Sequence, residues 1–212
     1  MTYHQFRTAL HGLTVFSTRD VAKLFPDFDS RRLVEWQQKG YLKKLVNKWY
    51  LFSDIAMDDF LRYRISNCLY RPSYISLESA LSHYNLIPEG VYTIQNITTR
   101  KTILYETPIG SFQYRNIKSG VFFGYQVDRI NNLPVLMADP EKAILDFLYL
   151  TPRIKKMADM EGLRLNIAEL NNNIDWGKLE KYAACFESAV LNKRIDLLKK
   201  LKTHADTIRN RK

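Results

Sequence analysis

The sequence predicts an α+β protein. An N-terminal winged helix-turn-helix, with a connecting helix at its end, would occupy residues 1–65, and a C-terminal mixed domain with an antiparallel sheet and several helices would occupy residues 66–212. Three observations predict this. Apolar residues recur at helical spacing in three short stretches before residue 40, then give way to a hairpin pattern. Between Val91 and Val127 the period changes to two. From Asp139 onward helical spacing returns behind a strong helix cap.

Residues 3–11 carry Phe6 and Leu10 on one side of a first helix, and "TVF" is a short extended piece. In "STRDVAKLF", Ser17 or Thr18 is the N-cap, Asp20 sits in the first turn, and Val21, Leu24 and Phe25 keep helical spacing. Pro26 stops that helix. A third helix starts at Asp29 or Ser30. Its one face carries Leu33, Trp36, Gln37 and Gly40, the other Arg31, Arg32, Glu35, Gln38 and Lys39, and Gly40 is a left-handed C-cap. "YLKKL" and "WYLF" read as strands around the turn "VNK". Three helices and a hairpin in this order predict a winged helix-turn-helix, whose third helix enters a DNA major groove.

Residues 54–66 read as the connecting helix, which puts the domain boundary between residues 52 and 73. A helix capped near Ser76 and ended before Pro88 opens the second domain. "VYTIQNIT", "KTILYET", "SFQYRNI" and "GVFFGYQV" are four strands, simplest as an antiparallel meander over about 91–127, with "PIG" as a tight turn. In "MADPEKAILDFLYL", Asp139 caps, Pro140 takes the first helical position, Glu141 favours the positive helix end, and Ile144, Leu145 and Leu148 form a buried stripe. Residues 164–170, 175–184 and 187–204 read as further helices, and "RNRK" as a frayed tail.

Composition narrows the function classes. Of 212 residues, 46% are apolar, enough for an ordinary core, and the formal net charge is +10 with a pI near 9.5. Such a balance favours a polyanionic partner. The excess lies at the ends: 11 basic against 7 acidic side chains in residues 1–65, 7 of each in 66–150, and 14 against 8 in 151–212. Two unpaired cysteines, Cys68 and Cys185, form neither a disulfide framework nor a zinc site, and a reduced cytoplasm suits them. The start of the chain lacks a signal-peptide pattern, and no apolar run reaches the roughly 20 residues of a membrane span. A membrane partner is therefore not expected.

The main candidate site is the basic surface of the third helix and hairpin. Exposed helix faces are often rich in Arg, Lys and Gln for solubility alone. Here, however, the charge coincides with a helix-turn-helix pattern and continues into the hairpin. The candidates for duplex DNA are Ser17, Thr18 and Arg19 at the second helix, Arg31, Arg32, Gln38 and Lys39 on the third, and Lys43, Lys44, Asn47 and Lys48 on the wing. Arg reads guanine and Gln reads adenine by bidentate contacts, while Lys chiefly neutralises phosphate. Trp36, Tyr41, Trp49 and Tyr50 could stack on single strands. Trp36 and Tyr50 are better explained as core, and Trp49 should point the other way. The C-terminal helix sets Leu191, Ile195, Leu198 and Leu201 beside Lys193, Arg194, Lys199 and Lys200; packing on the domain with a solvated basic rim is the simpler reading, and a second contact surface for nucleic acid or protein is the alternative. Its apolar stripe is narrow for a membrane surface.

Catalytic signals are poor. The four histidines are scattered, and no phosphate-binding Gly-rich loop occurs. "ADPEK" has the acidic-then-lysine arrangement of some nucleases, but a helix cap accounts for Asp139 and Glu141. A capped helix likewise accounts for Ser76, Glu78 and His83. No enzyme activity, metal or cofactor is expected.

Three segments together resemble the AbiEi family, the antitoxins of bacterial type IV toxin–antitoxin pairs known from phage abortive infection. "STRDVAKLF…SRRLVEWQQKGYLKKLVNKWY" looks like the family's N-terminal winged helix, "YISLESALSHYNLIPEGVYTI…TPIGSFQYRNIKSGVFFGY" like the start of its C-terminal domain, and "MADPEKAILDFLY" like the helix that follows. The resemblance covers roughly residues 15–150. It implies a repressor that binds inverted repeats in its own promoter and counters a nucleotidyltransferase-class toxin, by direct contact or otherwise. A monomer binding cooperatively is one arrangement that would serve. Where relatives usually carry Gly in the wing, this chain has Lys48, and Asn47 is expected to take the left-handed turn geometry. The competing readings are a regulator with a ligand-sensing second domain and a nuclease-like enzyme.

Overall fold

The computed structural model describes residues 1–130 and 133–209, without the side chains of 130, 133 and 205–209. The chain is α+β. Its first 52 residues follow the order α1 (Tyr3–Ala9), β1 (Val15–Ser17), α2 (Thr18–Leu24), α3 (Arg31–Gln38), β2 (Leu42–Val46) and β3 (Trp49–Phe52). The expected frayed tail, "RNRK", lies outside the described residues except for Arg209.

Local chemistry sets these boundaries. Ser17 caps α2 in a reciprocal box: its hydroxyl accepts from the Asp20 amide while the Asp20 carboxylate accepts from the Ser17 amide. Beyond α3, Gly40 takes φ +74°. Its amide donates to the Gln37 carbonyl and the Tyr41 amide donates to that of Trp36. This double closure is a Schellman motif, which only a left-handed residue permits. It turns the chain straight into β2.

Phe6, Leu10, Phe16, Val21, Leu33, Trp36, Leu42, Tyr50 and Phe52 form the core beneath these helices. The Phe6 and Trp36 rings lie 4.7 Å apart, centre to centre. Trp36 and Tyr50 are thus core residues. Trp49 packs on the opposite side of the three-stranded sheet β1-β3-β2, as strand alternation requires.

That opposite side joins the first unit to the rest. Val15, Leu45 and Leu51 belong to the same buried cluster as Ile65, Tyr74 and Ile97. Helix α4 (Asp59–Leu69), capped by Asp58, runs across the expected boundary at 65/66. It leads to β4 (Ser73–Ile75), α5 (Leu77–His83), β5 (Thr93–Thr98), β6 (Ile103–Thr107), β7 (Gly110–Asn116), β8 (Tyr125–Ile130) and β9 (Leu133–Ala138). Five helices follow: α6 (Pro140–Leu150), α7 (Met157–Glu161), α8 (Ile167–Asn173), α9 (Trp176–Ala184) and α10 (Ala189–Arg209).

Of the four strands expected between 91 and 127, three form where expected, whereas "GVFFGYQV" begins in a 3₁₀ turn at Ser119–Val121 and is strand only from Tyr125 on; together they do not make a meander. The sheet order is β6-β7-β5-β4-β9-β8. Antiparallel pairs (β4 with β5, β6 with β7, β8 with β9) are joined by parallel pairing of β5 with β7 and β4 with β9. The reason is burial. β7 carries Phe112 and Tyr114 fully buried and takes an interior place, whereas β6 alternates half-buried with exposed residues and suits an edge.

Register assigns the two faces of this sheet. Ile75, Asn96 and Tyr114 lie opposite one another on the face covered by α4, where the Tyr114 hydroxyl donates to the Ser66 carbonyl and the Ser66 hydroxyl to Asn96. Tyr74, Ile97 and Arg115 lie on the other face, against α6. Among the described residues, no helix is long and apolar enough to cross a membrane.

Candidate nucleic-acid interface

The cap at Ser17 does more than start a helix. β1 pairs with β3 through Ser17 and Trp49, and the Thr18 amide donates to the Lys48 carbonyl at 2.9 Å. The start of α2 is thereby tied to the β2–β3 turn. A cleft of about 420 Å³ opens between them, and five predicted residues line it: Ser17, Thr18, Arg19, Asn47 and Lys48.

Helix α3 presents Arg31, Val34, Glu35 and Gln38 outward, over buried Leu33 and Trp36. Its cations already have intramolecular partners. Arg31 pairs with Asp29 at 2.9 Å, and these hydrogen bonds hold the Asp29 carboxyl below its usual value. Lys39 pairs with Glu35 at 2.6 Å. Arg32 turns toward the chain start, donates to the Met1 carbonyl at 2.7 Å and is half-buried beside Phe25 and Phe28. Exposed pairs of this kind contribute about 0–1 kcal/mol, so an incoming phosphate can replace them at little cost. Gln38 is exposed and Gln37 folds back onto the Leu33 carbonyl.

Lys43 and Lys44 are both exposed, but they do not share a face. Lys44 stands opposite Tyr50, on the side of the N-terminal core, and Lys43 opposite Leu51, on the side that packs toward the second unit. Adjacent strand residues must diverge in this way. Only Lys44 therefore continues the α3 side of the hairpin.

The left-handed turn residue is Lys48 itself, at φ +67°, and not Asn47. A side chain in that region costs about 1–2 kcal/mol, of which glycine would recover part after its own greater unfolded-state entropy. Lys48→Gly is expected to raise stability by about 0.5–1 kcal/mol in thermal unfolding. It should also weaken binding to any polyanion through the lost charge. A variant that loses stability would contradict the strain argument.

Sequence reasoning missed Lys23 and Arg71, which line the same cleft as Arg19 and Lys48. Lys23 was readable as the residue one turn beyond Arg19. Arg71 was not, because it follows α4 and comes from across the domain junction.

The proposed second surface is corrected at one position and thinned at another. Arg194 is only 7% exposed and donates to the carbonyls of Leu148, Tyr149 and Ile154. It closes the end of α6 and offers nothing to a partner. Lys199 pairs with Glu180 at 2.5 Å, which leaves Lys193 and Lys200 exposed on either side of Asp196.

The acidic residues of "ADPEK" are also engaged. Asp139 caps α6 through the Lys142 amide, and its carboxylate meets Lys178 at 2.9 Å and the Tyr182 hydroxyl at 3.1 Å. Glu141 meets Lys178 at 2.8 Å and accepts from the Asp175 amide. Burial disfavours the Lys178 charge, but the two carboxylates outweigh it and hold the amine above its ordinary value. Ser76 donates to Asp146 rather than capping α5. His83 packs edge-on to Phe60 and Tyr63, where burial pushes its pKa down.

A separate hollow of about 490 Å³ in the second unit is lined by Glu78, Gln95, Phe147, Arg153 and Leu163, with Tyr92 97% exposed at its rim. One Glu78 carboxylate oxygen is buried there without a hydrogen-bond partner among the described residues. Neither the models of known protein families nor the curated proteins include a match to the chain.

Proposed function

We propose that the chain is a DNA-binding antitoxin of the type IV class, which represses its own operon from promoter inverted repeats and counters a nucleotidyltransferase-class toxin in the cytoplasm. The observation that carries the DNA-binding half is the order α1-β1-α2-α3-β2-β3, the order of a winged helix, with an exposed polar face on α3 and basic residues on the adjoining hairpin and α2 start. On this reading Arg31, Gln38 and Lys39 face the major groove, Arg32 is released from Met1 to join them, and Lys44 and Lys48 neutralise phosphates. The antitoxin half rests on the sequence resemblance alone. No catalysis, cofactor or metal is assigned.

Electrophoretic shifts with DNA from upstream of the chain's own gene, beside a scrambled duplex, test the first half. The wild-type protein should prefer its own DNA by about a thousandfold or more. The triple variant Arg31→Ala/Arg32→Ala/Lys44→Ala should bind about a hundredfold more weakly at physiological salt. Gln38→Ala should change preference among sequences by about 1–3 kcal/mol. Unchanged binding by the triple variant would sink the assignment. Growth rescue on co-expression with an adjacent nucleotidyltransferase gene tests the second half. Because the two units share one apolar cluster, both experiments call for the full chain.

A regulator whose second unit senses a ligand is the second reading. The Glu78 hollow favours it, since its volume suits a small molecule and one carboxylate oxygen of the Glu78 in its lining has no hydrogen-bond partner among the described residues. An operator affinity that shifts with a small cationic metabolite would support it.

A further inference from the structure

We propose that the cleft between α2, the β2–β3 turn and Arg71 seats a backbone phosphate of duplex DNA, so that the DNA contact extends past the N-terminal unit to the junction of α4 and β4. This rests on the DNA-binding reading above and adds to it a site and two residues.

Four cations line the cleft: Arg19, Lys23, Lys48 and Arg71. Its one carboxylate, Asp20, is already committed, accepting from the Ser17 amide at 2.8 Å and the Ser17 hydroxyl at 2.7 Å. None of the four cations has an ion-pair partner among the described residues. The contrast with α3 is informative, because Arg31 and Lys39 each have a carboxylate and Arg32 a carbonyl. Three cations of the first unit without an ion-pair partner among the described residues, Arg19, Lys23 and Lys48, thus meet in the cleft, whereas those of the helix expected to read bases are engaged.

Arg71 is held in place for such a role. Its Nε donates to the Asn67 carbonyl and one terminal nitrogen to Cys68 Sγ, both at 3.2 Å. These contacts use two of five donors and fix the plane of the guanidinium, leaving three donors for a ligand. Arg100 adds charge beside it, donating to the Arg71 carbonyl at 3.3 Å and lying 4.3 Å above the Tyr70 ring. A phosphate suits this set better than a carboxylate: it offers more acceptor oxygens to several converging donors, and arginine forks match its geometry. Duplex DNA also delivers phosphates beside any groove that α3 enters, which is where a wing and the start of α2 make their contacts.

Fluorescence anisotropy with a labelled duplex of upstream DNA, titrated over a series of KCl concentrations, tests the seat. Each lost phosphate contact lowers the slope of log affinity against log salt by about 0.9. Arg71→Gln should reduce the slope by about that amount and weaken binding to matched and scrambled duplexes alike, by about tenfold at low salt. Lys181→Gln, at an exposed position of α9 outside the cleft, should change neither. Wild-type binding with an unchanged slope in Arg71→Gln would overturn the seat alone. No duplex binding by the wild-type protein would overturn the underlying reading as well. A single-stranded RNA bound more tightly, with the same Arg71 dependence, would overturn the assignment to duplex DNA.

If Arg71→Gln does not fold, amine labelling of the wild-type protein decides. Duplex should shield Lys23 and Lys48 from acetylation and leave Lys155 and Lys181, exposed and outside every proposed contact surface, reactive. Undiminished labelling of Lys23 in the complex would overturn the proposal.

Discussion

Replacing Lys142 with methionine is expected to destabilise the protein by about 3–5 kcal/mol, the usual cost of breaking a buried ion pair from one side. Lys142 and Asp146 sit one turn apart on α6, and both are 0% exposed. The ammonium contacts the Asp146 carboxylate and donates to the Tyr74 hydroxyl at 3.0 Å. That hydroxyl and the one of Ser76 each donate to Asp146 at 2.9 Å. Burial pushes Lys142 down and Asp146 up from their ordinary values, and each draws the other back toward its charged form. Removing the ammonium leaves a fully buried carboxylate with two neutral donors and no counter-charge. The double variant Lys142→Met/Asp146→Asn removes both charges, and its amide oxygen can still accept from Tyr74 and Ser76. It should recover most of the loss. Urea unfolding at constant slope measures both. A loss under about 1 kcal/mol in the single variant would mean the pair is not coupled as described.

Arg194→Leu should cost about 3 kcal/mol, although Arg194 lies in a basic helix whose Lys193 and Lys200 are exposed. Its guanidinium reaches the Leu148 carbonyl at 2.6 Å, the Ile154 carbonyl at 3.0 Å and the Tyr149 carbonyl at 3.3 Å. Leu148 and Tyr149 belong to the last turn of α6, where carbonyls lack helical partners and the helix dipole favours a cation. Leucine would bury these acceptors unpaired. Lysine at the same position should restore only part of the stability, because one ammonium cannot span acceptors that a planar fork reaches together. Lys193→Ala and Lys200→Ala, both at exposed positions, should lie within about 0.5 kcal/mol of wild type. Thermal melts of the four variants separate these outcomes. Equal effects at 193 and 194 would contradict the burial of Arg194.

Both residues left traces in the sequence. Arg194 follows Leu191 by three positions and precedes Leu198 by four, so it falls on the apolar stripe and not beside it. Its stripe position outranked its charge, because a hydrogen-bonded guanidinium can be buried. Lys142 and Asp146 are spaced one turn apart in a helix whose residues from Glu141 to Leu148 are all buried. A cap explanation holds for Asp139, but Glu141 is engaged by Lys178 and the Asp175 amide instead, and the explanation gave no account of the lysine that follows. What could not be read was the partner of each: Tyr74 and Ser76 for one, the end of α6 for the other.

The strands divide in the same way. Three of the four segments between 91 and 127 were legible because period-two alternation is a local property, and the fourth only from Tyr125 on. Their order was not, since the choice of neighbour for β7 depends on which face of which strand is already covered. β4 went unread because its three residues are all buried and show no alternation, and β9 because Pro134 argues against a strand.

The sequence by itself determined the elements whose signals are local: the capping box at Ser17, the Gly40 closure, the Asp139 cap with Pro140 behind it, and the hairpin after α3. Those interactions join groups already adjacent in the chain, so little loop closure opposes them. Only the tertiary structure decided the mixed strand order, the turning inward of Arg194, and the meeting of Arg71 with Arg19 and Lys48. Each of these joins residues distant in sequence or depends on which face the packed core covers, and no local pattern carries that information.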